Sequence, residues 1–188
     1  MSLSIEMDVL DKDRALVEQL LNPDTTAMGF NALVKTYSEP LYWHIRKIVY
    51  DHEDADDVLQ NTLEKVFKNL KSFRGDSKLY TWLYRIATNE ALNFIEKKRK
   101  YLGLNISDYQ ISKVEQLESD VYFDGSAIEI ALQKAIAKLP EKQKLVFNMK
   151  YFDNMKYEDI SAILGTSVGA LKASYHHAVN KIKNELEI

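Results

Sequence analysis

At 188 residues, with 46% apolar and 28% charged residues and a net charge of −3, the chain suits one large or two small folded domains and is not compositionally disordered. It has no cysteine, which excludes disulfides and thiolate metal sites. No apolar run approaches the roughly 20 residues of a membrane span, and the acidic amino-terminus lacks a signal-peptide pattern, so a cytoplasmic protein is expected.

Helical periodicity runs through nearly the whole chain and no period-two alternation is sustained, so the expected fold class is all-α. Phe30, Leu33, Val34 and Tyr37 form a first stripe; Leu41, Ile45, Ile48 and Val49 form another after Pro40, which should break or kink the helix. The next helix opens on Asp51, Glu53, Asp54, Asp56 and Asp57, where carboxylates complement the positive end of the helix dipole. Its apolar stripe is Ala55, Val58, Leu59, Thr62, Val66, Phe67 and Leu70. The acidic block lacks the sixth-position glycine of a calcium loop and has no accompanying nucleophile, so neither calcium binding nor carboxylate catalysis is expected.

Helix breakers gather at Ser72 to Ser77, before a segment that carries two characters at once. Leu83, Ile86, Ala87, Ala91, Phe94 and Ile95 make an apolar stripe, while Trp82, Arg85, Asn89 and Asn93 fall on the opposite side of the wheel. The segment ends in Lys97, Lys98, Arg99 and Lys100. A solvated face with one aromatic would account for the pattern. So would aromatics that stack on bases, amides that read base edges and cations for phosphates.

Beyond Lys100 the pattern loosens into acidic and mixed sequence, a linker over 101–127 between domains at 25–100 and 128–188. Ile128, Leu132, Ala135, Ile136 and Leu139 restore helical spacing, and Pro140 opens a helix carrying Leu145, Val146 and Met149. Tyr157 to Lys172 then reads as two helices joined by a tight turn. Ile160, Leu164 and Leu171 supply their common core, Gly165 suits a left-handed helix stop, and Ser167 is placed to cap the second helix. This is the helix-turn-helix pattern, whose second helix enters a major groove. Its outward residues are Lys172, Ala173, His176, His177 and Asn180.

Charge is segregated along the chain: −5 over residues 1–72, +4 over 73–100, −4 over 101–127 and +2 over 128–188. Base is concentrated in the two segments with nucleic-acid character, yet the total predicts weak phosphate binding by the free chain. The four histidines show no metal-ligand spacing and no glycine-rich phosphate loop occurs, so no enzyme, metal or cofactor is expected.

Three blocks in order, Asp54 to Phe67, Phe73 to Lys100 and Leu139 to Lys183, resemble the bacterial RNA polymerase sigma factors of the two-domain extracytoplasmic-function type. The resemblance implies core RNA polymerase and promoter DNA, duplex and single-stranded, as partners, with an anti-sigma factor as a further one. By that resemblance Asp56, Asp57, Gln60, Asn61 and Glu64 face the polymerase clamp. A loop with Phe73, Arg74, Asp76, Ser77 and Lys78 would hold an unstacked base of the −10 element. Trp82, Arg85, Asn89, Asn93, Lys97 and Arg99 would handle the opened strand, and Ser167, Lys172, Ala173, His176, His177 and Lys181 the −35 duplex. Family recognition helices often carry several arginines after the position of Lys172; here stand Ala173, Ser174, His176, His177 and Val179, which puts the −35 specificity in question. A helix-turn-helix repressor with a helical sensing domain is the rival; it leaves the 73–100 segment without a purpose.

Overall fold

A computed structural model describes residues 13–73, 77–115 and 126–187; Arg74 and Asp76 lie outside the described residues. All its regular elements are helical: α1 (residues 13–21), α2 (Thr26–Val49), α3 (His52–Asn69), α4 (Leu79–Leu102), α5 (Ile106–Glu115), α6 (Ala127–Ala137), α7 (Glu141–Tyr151), α8 (Tyr157–Leu164) and α9 (Val168–Glu185). A single 3₁₀ turn, Leu70–Ser72, follows α3.

Helices α2, α3 and α4 pack pairwise into a bundle because each presents an apolar stripe. Leu33, Leu41 and Ile45 of α2 meet Ala55, Val58 and Val66 of α3 and Leu83, Ala87, Ala91 and Ile95 of α4 in one core. Of the break or kink expected at Pro40, the break does not occur: Pro40 sits on the exposed side of a helix that runs through it. Missing one backbone bond costs about 3 kcal/mol, and the core contacts made on both sides of Pro40 outweigh it. At Gly29 the backbone of α1 comes so close that an added Cβ would lie 2.9 Å from the Leu20 nitrogen.

Asp51 caps α3, its carboxylate accepting from the Asp54 amide at 3.1 Å. A second correction concerns Phe67, expected in the α3 stripe: it is 53% exposed, edge-on to Phe30. It falls about a third of a turn round from the buried line Val58, Thr62, Val66 and Leu70, so the helix turns it away from the core.

In the second half, α6 begins with a reciprocal capping box between Ser126 and Glu129. Ala135, Ile136, Leu139, Phe147, Ala178 and Ile182 form a local core among α6, α7 and α9. Leu145, Val146, Met149, Met155, Ile160, Ile163 and Leu171 belong instead to the core that also holds the α2–α4 bundle. The apolar interior is therefore continuous between the two halves. A third difference from expectation lies in the linker, where α4 reaches Leu102 and α5 forms a docked helix.

Candidate nucleic-acid interface

The approach to α4 is built on Phe73, which is buried and tilted against Trp82 with ring centroids 4.9 Å apart. Trp82 is thereby half-buried; a wheel assigns it to the polar side, but Phe73, whose amide donates to the Leu70 carbonyl, packs onto it. Beside this pair lies a cavity of about 330 Å³. Phe73, Ser77, Lys78 and Leu79 line one side, and Asp13, Arg14, Val17 and Glu18 of α1 line the other. The contribution of α1 carries no sequence signature, because nothing in residues 13–18 distinguishes a cavity wall from any amphipathic helix. Asp13 is held in place by the Tyr37 hydroxyl, which donates to it at 2.5 Å. Burial first, and then this carboxylate, push the Tyr37 hydroxyl well above the usual tyrosine value.

Along α4, Arg85, Asn89, Asn93 and Lys97 are all exposed, aligned at helical spacing on the side opposite the buried Leu83, Ala87, Ala91 and Ile95. Arg99 is forked onto Glu96, with both nitrogen–oxygen distances 2.6 Å, so its charge is largely committed within the helix.

The helix-turn-helix lies against this same face. Arg85 donates through Nε to the Ala162 carbonyl at 3.1 Å and also through its terminal nitrogen. Ala162 is in the last turn of α8, where carbonyls lack intrahelical partners and the helix dipole favours a cation. Lys78 pairs with Asp159 at 3.1 Å. Thr88, Asn89 and Leu92 share a groove with Leu145, Val146, Ile163, Leu164 and Leu171.

Asp153, in the turn after α7, reaches back to α2. It accepts from His44 Nδ1 at 2.9 Å and from Lys47, while His44 Nε2 lies 2.9 Å from the Thr88 hydroxyl. Burial alone would raise the Asp153 carboxyl; the interactions with His44 and Lys47 outweigh it and hold it below the usual carboxylate range. Asn148 adds a bond to the Lys47 carbonyl at 3.2 Å, and Lys47 lies 5.5 Å above the Phe152 ring.

Gly165 stops α8 at φ 63°, and Ser167 caps α9 by accepting from the Ala170 amide at 3.4 Å, as the sequence pattern required. From α9, Lys172, Ala173, His176, His177 and Lys181 all project into solvent. His176 Nε2 is 3.0 Å from the Asn180 amide, and Lys172 sits 5.8 Å over the Tyr157 ring. On α3, Asp57, Gln60, Asn61 and Glu64 are exposed and Asp56 is half-buried beside His52 at 3.5 Å. No cluster of metal-ligating side chains occurs among the described residues. None of the described helices is long and apolar enough to cross a membrane.

Residues 33–101 match the sigma-70 region 2 family and residues 129–182 match sigma-70 region 4. The chain is 30% identical over 187 residues to the RNA polymerase sigma-H factor of Pseudomonas aeruginosa, covering 94% of this chain and 95% of that one. It is also 30% identical over 190 residues to the ECF RNA polymerase sigma-E factor of Escherichia coli strain K12, covering 93% and 94%. Among solved structures it is similar to CnrH in complex with the cytosolic domain of CnrY, with TM-score 0.69 and 22% identity, over 93% of this chain and 97% of that one. The RpoE sigma factor of Bartonella quintana, in complex with the anti-sigma factor NepR, gives TM-score 0.65 and 22% identity over 85% and 97%. Two family regions in the expected order, with relatives matched along almost their full length, are what a single-module repressor lacks. The chain belongs to the extracytoplasmic-function sigma factors of the sigma-70 family, which direct promoter-specific transcription initiation by RNA polymerase.

Proposed function

We propose a division of labour over three exposed surfaces of this sigma factor. Asp56, Asp57, Gln60, Asn61 and Glu64 of α3 dock core polymerase. The cavity beside Phe73, Ser77 and Lys78 takes an unstacked base of the −10 element. Arg85, Asn89, Asn93 and Lys97 on α4 then hold the opened strand, while Lys172, His176, His177 and Lys181 on α9 face the −35 duplex. Binding the opened strand better than the closed duplex lowers the free energy of the melted state, so opening needs no nucleotide hydrolysis. The observation that carries this reading is the line of exposed amide and guanidinium groups on α4, opposite its buried stripe and next to a cavity large enough for a base. The sites of action are cytoplasmic, where polymerase and promoter are. The anti-sigma factor NepR bound to RpoE of Bartonella quintana supports an anti-sigma factor as a partner of this chain too.

Docking is tested by replacing Asp57 and Gln60 together with Arg. Both side chains are exposed and avoid the α3 core contacts, so the melting temperature should hardly move. Affinity for core polymerase in a competition assay should fall by at least about a hundredfold, the equivalent of roughly 2.8 kcal/mol. Unchanged affinity would sink the assignment of this face.

A further inference from the structure

Helix α1 lies ahead of the residues matched to region 2, which begin at 33, yet it is tied to the first domain at both ends. Leu16 and Leu20 are buried in the main core. The Thr25 hydroxyl donates to the Gln19 carbonyl in its last turn at 2.9 Å. Gly29 of α2 approaches the Leu20 backbone so closely that a side chain there would have to displace α1. At the other end the Tyr37 hydroxyl holds Asp13. These contacts make α1 a fixed wall of the cavity beside Phe73.

Asp13 is the pinned acid of that wall. Arg14 and Glu18 are largely exposed and face each other at 4.0 Å along the helix. Asp13 is half-buried: Tyr37 occupies Oδ1, and Oδ2 has no hydrogen-bond partner among the described residues. A carboxylate accepts hydrogen bonds and donates none. Across the cavity stand Phe73, Ser77, Lys78 and Leu79. Phe73 and Leu79, with Val17 of α1, offer apolar contact to the faces of a base. Lys78 already meets one anion, Asp159, at 3.1 Å, a place that a strand phosphate would take.

A base entering past Lys78 keeps its sugar on that side. It then extends towards α1 the group farthest from the glycosidic bond, on C4 of a pyrimidine or C6 of a purine. Cytosine and adenine carry an amino group there, whereas thymine and guanine carry a carbonyl oxygen. The amino group can donate to Asp13. A carbonyl would set acceptor against acceptor and leave both unpaired. We propose that Asp13 is a specificity-determining residue of this cavity, which selects an amino-bearing base, cytosine or adenine. The inference rests on the reading of the cavity as a base site given above.

Holoenzyme made from core RNA polymerase and the full-length chain is offered forked DNA with a randomised, single-stranded −10 stretch, and the bound molecules are sequenced. One position should favour cytosine or adenine over thymine and guanine by about tenfold. Asp13→Asn keeps the size of the side chain and its acceptor for Tyr37, but presents an amide donor to the cavity. At that position alone, the preference should shift towards thymine or guanine. Val17→Trp, which fills the cavity from the α1 side, should remove the preference together with the advantage of forked over closed DNA. If Asp13→Asn does not fold, Tyr37→Phe carries the same test: unpinning the carboxylate should weaken the preference, and an unchanged preference would count against Asp13. A wild-type preference for thymine or guanine at the position sensitive to Val17→Trp would overturn the role of Asp13. So would a preference that folded Asp13→Asn leaves unchanged. Fork binding and base preferences that all survive Val17→Trp would instead overturn the base-site reading, and this inference with it.

Discussion

Lys144 shows how a single side chain sets a pH dependence. It is 3% exposed and donates to the Ala137 carbonyl at 2.9 Å. Burial pushes its ammonium down to about 8 from the usual 10.5, with Glu141 opposing in part. Between those two values the unfolded chain binds more protons than the folded one, so this residue makes stability rise as pH climbs from about 8 towards 10.5. The size is on the order of 3 kcal/mol. Above about pH 10 the sign reverses, because burial keeps Tyr50, Tyr80, Tyr84 and Tyr109 protonated in the fold after the unfolded chain has begun to ionise. Denaturant melts across pH 7 to 11 should show a stability maximum between the two effects, and Lys144→Met should flatten the rising limb. A rising limb that persists in that variant would assign it to another group.

At the scale of elements, the α8–α9 turn is set by two residues acting on backbone alone. Gly165 has φ 63°, and a Cβ there would meet open space, so Gly165→Ala pays for conformation and not for collision. The expected loss is about 1 kcal/mol, similar to the loss of the cap in Ser167→Ala. Additive losses in the double variant would show two separate backbone effects; strong coupling would point to a rearranged turn. Helix α9 itself is read by salt. Lys172 is exposed near its start, and Lys172→Ala should reduce the slope of log affinity against log salt by about 0.9 for duplex binding by holoenzyme. A slope that does not change would remove Lys172 from the phosphate contacts.

At the scale of the molecule, the question is what holds the two domains together. Asp153 is 9% exposed at its side chain and bridges the α7–α8 turn to His44 and Lys47, more than a hundred residues earlier. Its carboxyl is held below the ordinary range, so the stabilisation is complete above the unfolded value and is lost as pH falls through the folded one. Asp153→Ala should therefore lower stability at pH 7 by about 1–3 kcal/mol, and the difference from wild type should close below about pH 4. In a double-mutant cycle with Lys47→Ala, a coupling energy below about 0.5 kcal/mol would mean that the ion pair adds nothing to domain closure.

Read alone, the sequence determined everything that depends on near neighbours along the chain. Helical periodicity, the Gly165 stop, the Ser167 cap and the exposed line Arg85, Asn89 and Asn93 follow from spacing and backbone preference, and all are present in the structure. The order of the three blocks was enough to reach the family, because those segments carry their chemistry in residue type. Only the tertiary structure decided the rest. Pro40 stays helical because core contacts on both sides of it are distant in sequence. Trp82 turns inward because Phe73 packs on it, and Phe67 turns outward because the neighbouring helices cover the face of Val66 and Leu70 instead. The stretch after Lys100 reads as a loose linker since its amphipathicity is weak, yet α5 finds partners in Tyr50, Asp51, Asp54 and Ala137. Each of these outcomes turns on contacts between residues far apart in the chain, and no local pattern encodes which apolar or charged groups will meet.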